Sequence, residues 1–446
     1  MRPKGPQPAA VARLQIASGL AVAAIGWLAP RLLPLEPVWT AIEGPLVAAG
    51  LLLAVTAGVI RRLRIPLRIV MGCGVALWVL LGSLGLAEVI LRAIDFDFRG
   101  EEAALKKLPP FYREPREPSG TVYFRRHGPE TWTGQPIRAW LQRMGSPAEA
   151  AYVDEPAITA RYTALGFRPD SGPPNWEIAI AGDSFVELGC LDDADLFTTR
   201  LAEDSGRGVR NLGASNTGPM THLHYLEAYG VSPALRCAII VFYEGNDLQD
   251  LAWERRALEH HARTGKRGYR TVQRQSSLIG AAYEAWHRPP AAQSPEELPM
   301  PIHTVRTRNG PVPVTLEPVA PHPADLDPAV VAAWNEFLRR FLDFGRRHRV
   351  EIRLAYMPCK ARALHGALEP ASSEEHRIEP WVPTPLPEWV RESCRAHGVP
   401  IIDLTPALRR AVLVDGECPF NPLLETHLNA KGSAIVAREL AGRLVP

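Results

Sequence analysis

Four short clusters along the chain carry residue types that together can do acyl chemistry. The first is Gly182-Asp183-Ser184-Phe185, directly after the apolar run Glu177-Ile-Ala-Ile-Ala181. A serine at a strand-to-helix turn presents its hydroxyl at the rim of a sheet, and its own backbone N–H can meet a developing negative charge. The second and third, Asn211-Leu212-Gly213 and Glu244-Gly245-Asn246-Asp247, also stand at the ends of apolar runs. Glycine lets a backbone N–H approach an oxyanion closely, and an asparagine amide adds a second donor. The fourth is Glu425-Thr426-His427-Leu428-Asn429. A neutral imidazole can take the serine proton, and a carboxylate can hold the ring in the right tautomer and stabilise its charged form. In extended chain, residues two apart project to the same side, which sets the Glu425 carboxylate within reach of His427. Each cluster alone has a plainer reading: Ser and Asp cap helices, Asn and Gly make turns, and the chain has 13 histidines. Their order on one chain is what sets them apart.

The elements needed to position these clusters are legible around them. Short apolar runs at 177–181, 209–212, 237–242, 351–356 and 399–403 read as buried strands. Between and after them, 196–204, 221–229, 328–348, 388–397 and 430–440 read as helices; in 328–348, Trp334, Phe337, Phe341 and Phe344 fall at helical spacing and are core residues rather than a cofactor site. Alternating strands and helices imply a mostly parallel sheet covered on both faces. In such a sheet reactive groups collect in the crevice at the carboxyl ends of the strands, where the clusters fall.

With these pieces in order, the sequence resembles the SGNH, or GDSL-type, hydrolases. The matching residues are Gly182-Asp183-Ser184 with Phe185 and Gly189, then Asn211-Leu212-Gly213, then Gly245-Asn246-Asp247, then His427 with Asn429 and Gly432. Upstream, Leu165-Gly166-Phe167-Arg168 looks like the lead-in found in bacterial members. The resemblance implies a flavodoxin-like three-layer α/β/α fold, Ser184 as nucleophile and His427 as general base. It further implies an oxyanion hole made by the Ser184 N–H, the Gly213 N–H and the Asn246 side chain, with Asp183 and Asp247 in support, and no metal or organic cofactor. One departure stands out: the family's commonest acid lies three residues before the histidine, where this chain has Leu424, whereas Glu425 lies two before it, as in a D-x-H variant.

Charge is distributed unevenly. Residues 1–92 hold nine Lys and Arg against three Asp and Glu, a net of +6, within an overall +2. That first part contains three long apolar runs, Leu14 to Pro30, Gly44 to Ile60 and Ile69 to Ile90, each about long enough to span a bilayer as a helix. Arg2, Lys4 and Arg13 precede the first run, and Arg61, Arg62, Arg64 and Arg68 crowd the turn between the second and third. Both basic segments belong in the cytoplasm, which places the rest of the chain on the periplasmic or extracellular side. The low charge density excludes a disordered chain and a nucleic-acid binder. Five of the six cysteines lie in the exported part, an odd number without framework spacing, so no pairing follows.

The expected organisation is a membrane anchor at 1–92, a proline-punctuated connecting segment at 93–160, and a hydrolase domain at 161–446 interrupted by a solvated insertion at about 252–325. The function implied is a membrane-anchored serine esterase in the inner (cytoplasmic) membrane, acting on an O-acyl ester, acetyl foremost, of envelope carbohydrate or lipid such as an O-acylated polysaccharide. Two alternatives stay open: an O-acyltransferase working with an envelope-biosynthesis partner protein, and a non-catalytic scaffold of such a complex.

Overall fold

The structure, a computed structural model, describes residues 108–113, 115, 117–120, 122–144, 146–265, 300–316, 320–369 and 382–444, together with Ser83. The chain forms two units, Met1–Glu101 with Tyr269–Arg288, and Glu102–Gly268 with Pro289–Pro446; all the elements below belong to the second. Apart from Ser83, the three expected membrane spans lie outside the described residues. Among the described residues no helix is long and apolar enough to cross a membrane.

The strands are β1 (Glu117–Ser119), β2 (Tyr123–Arg125), β3 (Glu130–Gly134), β4 (Ile158–Tyr162), β5 (Ile178–Gly182), β6 (Val209–Gly213), β7 (Cys237–Tyr243), β8 (Ile302–Thr307), β9 (Gly310–Thr315), β10 (Glu351–Met357), β11 (Leu368–Glu369) and β12 (Ile401–Asp403). The helices that matter here are α1 (Pro136–Met144), α2 (Pro147–Ala150), α3 (Ser184–Glu187), α4 (Phe197–Ser205), α5 (Pro219–Tyr225), α6 (Asp247–Thr264), α7 (Pro328–His348), α8 (Lys360–Leu364), α9 (Leu386–His397), α10 (Thr405–Arg410) and α11 (Ala430–Leu444).

The central sheet has five strands in the order β12-β10-β7-β5-β6, every pair parallel. Counted along the chain this is 2-1-3-4-5, the flavodoxin-like order, whose switch point lies between the first and third strands, here β5 and β7. Because side chains alternate across a strand, β5 and β7 feed two cores. Ile178, Ile180, Ile239 and Val241 face α4 and α11 through Phe197, Leu201, Val436 and Leu440. Ala179, Ala181, Ala238, Ile240 and Phe242 face α5, α6, α7 and α9 through Leu223, Leu251, Phe341 and Val390. The result is the three-layer α/β/α arrangement expected from the sequence.

Helix α7 coincides with the predicted 328–348. Asp327 caps its start by accepting from the Ala329 N–H at 2.8 Å, with Pro328 in the first turn. Trp334, Phe337, Phe341 and Phe344 are wholly buried, as core residues should be.

The segment expected only to connect holds more structure than that. β1 and β2 form one antiparallel pair and β3 and β4 another, and α1 and α2 build a small apolar cluster with Ile137, Leu141, Ala150, Val153 and, from far along the chain, Leu424. The segment expected as a solvated insertion is likewise partly built in. α6 extends to Thr264, and the β8–β9 pair ends at Thr315, whose N–H donates to the Pro422 carbonyl at 3.0 Å. Its proline content marked breaks in the chain but gave no sign of which face it would pack against.

The aromatic stripe of α7 carries a large share of one core. Phe337→Ala removes a fully buried ring and is expected to cost about 3–5 kcal/mol; a chemical-denaturation midpoint of the full chain unchanged from wild type would show that this helix is not integral to the fold.

Candidate active site

Ser184 opens α3 immediately beyond β5, as its strand-end position predicts. Asp183 caps that helix: its Oδ1 accepts from the Phe185 N–H at 2.9 Å, and the Ser184 hydroxyl donates to its Oδ2 at 3.2 Å. Ser184 is half-buried while Asp183, Phe185, Val186 and Glu187 are buried around it. The turn is tight because Gly182 allows it: a Cβ there would lie 2.4 Å from Val186 Cγ2.

His427 comes to this turn from the segment before α11. Its ring lies 4.8 Å, centroid to centroid, from that of Phe185, the residue after Ser184, and 4.9 Å edge-on from that of Phe111. Its Nδ1 is in short hydrogen-bond contact with Glu425 Oε1. The same oxygen accepts from the backbone N–H groups of Thr426 at 2.9 Å and His427 at 3.1 Å. Glu425 is buried, and the His427 side chain is only 12% exposed, its Nε2 lying below the surface. Burial works to raise the Glu425 carboxyl, but the facing His427 and its hydrogen bonds hold it at about 2. The carboxylate is therefore held ionised at neutral pH.

Leu424, standing where the commoner acid would be, has a different task. It is buried, has a left-handed backbone at φ 58, and its N–H donates to Thr315 Oγ1 at 2.7 Å. Its side chain completes the apolar cluster of α1 and α2, and a carboxylate there would be stranded without water. The loop is clamped from beneath by buried Lys360, whose Nζ donates to the carbonyls of Pro422 at 2.9 Å and Glu425 at 2.8 Å.

The other predicted residues sort differently. The Gly213 N–H does not point outward: it donates to Asn211 Oδ1 at 2.9 Å, so in this arrangement the expected oxyanion donor is already engaged. What position 213 requires is the absence of a side chain, since a Cβ would lie 2.2 Å from the Glu187 nitrogen. Asn211 completes the joint, its Nδ2 donating to the Val186 carbonyl at 3.1 Å. Asn246 begins α6, and its Nδ2 donates to Asp250 Oδ2 at 2.9 Å; an amide has two such donors, so one remains. Asp247 holds the turn from β7 by accepting from the Tyr243 N–H at 2.9 Å. Glu244 is a buried clamp, bonded to Arg362 Nε at 2.8 Å and to the Cys359 N–H at 2.7 Å. The five cysteines among the described residues, Cys190, Cys237, Cys359, Cys394 and Cys418, are free thiols.

Sequence reasoning missed the residues that come from before β4. Tyr112 donates its hydroxyl to Glu425 Oε2 at 2.6 Å, and Phe111 packs where Gly189 leaves room, a Cβ at 189 lying 2.3 Å from Phe111 Cβ. The run Phe111-Tyr112 was visible only as aromatics in a proline-rich stretch. Among the described residues no cluster of three or more His, Cys, Asp or Glu is arranged to hold a metal.

No protein-family model matches the chain, and no curated protein matches it. Solved structures similar to it include a G-D-S-L family protein from Desulfitobacterium hafniense DCB-2, with 10% identity, a TM-score of 0.30 and coverage of 60% of this chain and 98% of that one. They also include the acetyl xylan esterase AlAXEase, with 10% identity, a TM-score of 0.32 and coverage of 60% and 99%. A lipase/acylhydrolase from Enterococcus faecalis has 15% identity, a TM-score of 0.27 and coverage of 61% and 98%. At such scores the likeness carries no argument, and the reading of the site rests on its own geometry.

Burial pushes the Asp183 carboxyl up to about 6, against the opposing pull of the Phe185 N–H and His427. A group raised above its unfolded value contributes stability that is full below the unfolded value, near 3.8, and is lost as pH climbs through about 6. Asp183→Asn cannot ionise, so it should gain on wild type by up to about 3 kcal/mol between pH 4 and pH 7. Thermal midpoints of the two proteins across that range check this; parallel curves would refute it.

Proposed function

We propose that this chain is an SGNH-type serine esterase working through an acyl-enzyme. The observation that carries the reading is the buried, ionised Glu425 on Nδ1 of a largely buried His427 whose ring packs beside the Ser184 turn. For reaction, Ser184 Oγ turns from Asp183 toward His427 by rotation about its side-chain bond and attacks the ester carbonyl carbon. The hydroxyl proton passes to the imidazole, and the charge on the carbonyl oxygen is met by the Ser184 N–H and the Asn246 amide. Collapse expels the alcohol, which takes the proton from the imidazolium. Water then attacks the acyl-enzyme by the same path, releasing the acid and restoring Ser184.

The substrate class is an O-acyl ester, acetyl foremost, on envelope carbohydrate or lipid, and the protein sits in the inner membrane with its catalytic unit outside the cytoplasm. This rests on the three apolar runs and on the basic segments flanking them. Transfer of the acyl group to a sugar hydroxyl would use the same first half and a partner protein; acetate released from an acetylated glycan, with no acyl on an added sugar, distinguishes hydrolysis.

A serine-directed phosphonate should label the full-length wild-type protein and leave Ser184→Ala unlabelled; equal labelling of both, or of neither, would sink the enzyme reading. A periplasm-active reporter fused after residue 100 should be active, and activity of a cytoplasm-only reporter at that point would reverse the proposed orientation.

A further inference from the structure

The loop that carries Glu425 and His427 satisfies one oxygen of the carboxylate by itself, since Oε1 takes the imidazole and two backbone N–H groups. The other oxygen is held from 313 residues away by the Tyr112 hydroxyl at 2.6 Å. A glutamate has one more rotatable bond than the aspartate of a D-x-H pair, and so needs a further anchor to keep one rotamer. Tyr112 is itself fixed: its ring stacks on Trp140 at 5.4 Å and 20° and meets the edge of Phe111 at 4.9 Å.

The three-residue turn Pro110–Tyr112 is pinned by a buried guanidinium. Arg126 donates to the carbonyls of Pro110 and Arg113, to that of Phe111 at 2.9 Å, and to Glu187 Oε2 at 2.8 Å. Glu187 is the last residue of α3, the helix that Ser184 opens, and its carboxylate also accepts from the Tyr162 hydroxyl at 2.8 Å and the Ser215 N–H at 2.6 Å. A continuous run of buried polar contacts thus joins the nucleophile's helix to the acid of the base.

We propose that Tyr112 is a positioning residue of this site: its hydroxyl fixes the rotamer of Glu425, and the Arg126–Glu187 pair ties the turn that carries it to the helix of Ser184. The inference rests on the serine-esterase reading and deepens it. The groups facing the pair are few. Asp183 stands across from His427, Cys190 and Glu155 lie near the Glu425 carboxylate, and the Lys360 ammonium holds the Glu425 carbonyl.

Tyr112→Phe keeps the stack on Trp140 and removes only the hydroxyl. The test compares the pH dependence of the second-order rate at which a phosphonate labels Ser184 in the full-length variant and wild type. With Glu425 free to turn away, the imidazolium loses its counter-ion. Labelling at neutral pH should then slow about tenfold, and the acid limb of the profile should move to lower pH. An unchanged rate and limb in a folded variant would overturn the proposal while leaving the nucleophile assignment intact. A limb moved to higher pH would mean that the hydroxyl tempers the carboxylate charge rather than fixing its rotamer, which also overturns it. A wild-type protein that takes no label would remove the esterase reading, and this inference with it.

Discussion

An acid that orients an imidazole has to be taken out of water and yet stay ionised, and Glu425 sits under both demands. Desolvation favours the neutral carboxyl; the imidazole, two backbone N–H groups and a phenol together outweigh it. None of these donors works unless the loop from Pro422 to Asn429 keeps one conformation, and that loop has no regular secondary structure of its own over 422–427. It is therefore held from outside, by Lys360 below, Thr315 at one side and Leu424 sunk in the cluster of α1 and α2. The placement of His427 is in this sense distributed over parts of the chain far from it in sequence.

Two buried ion pairs repeat the device at the strand ends. Glu244, just past β7, binds Arg362 in α8 beyond β10, and Glu187 at the end of α3 binds Arg126. Such pairs add little net stability, because the Coulomb gain is offset by desolvation. Losing one partner is nonetheless strongly destabilising, since the other is left as an unpaired buried charge. The pairs serve to fix geometry: each joins a loop to a short helix near the carboxyl edge of the sheet, where backbone ladders no longer do so. Gly182, Gly213 and Gly189 act on the same edge by leaving out side chains, so that α3, β6 and Phe111 close on one another.

The reading of Gly213 and that of Leu424 and Glu425 illustrate the limits of motif spacing. At 213 the sequence marks a position where only glycine fits, but two physical causes produce that mark, an N–H offered to a ligand and a backbone pressed against a helix. The structure has the second, with the N–H turned to Asn211. At 424 and 425 the sequence offers a leucine and a glutamate near a histidine, and the reach of an extended segment already favoured the glutamate. What could not be read there was why leucine occupies 424, because its apolar partners Ile137, Leu141 and Val153 lie in a segment that has no sequence feature of a core.

The sequence by itself determined the strands and helices of the central sheet, the strand ends on which Ser184, Asn211 and Asn246 fall, and the approach of Glu425 to His427. These are local matters, set by periodicity of two or 3.6 residues and by the reach of neighbouring side chains. Tertiary structure alone decided that Tyr112 would reach Glu425, that Arg126 would meet Glu187, and that Thr315 would brace the histidine loop. Those contacts join residues from 61 to 313 positions apart, and no short-range pattern encodes them: a buried arginine and an exposed one look the same in a sequence until the carboxylate it pairs with has been brought alongside.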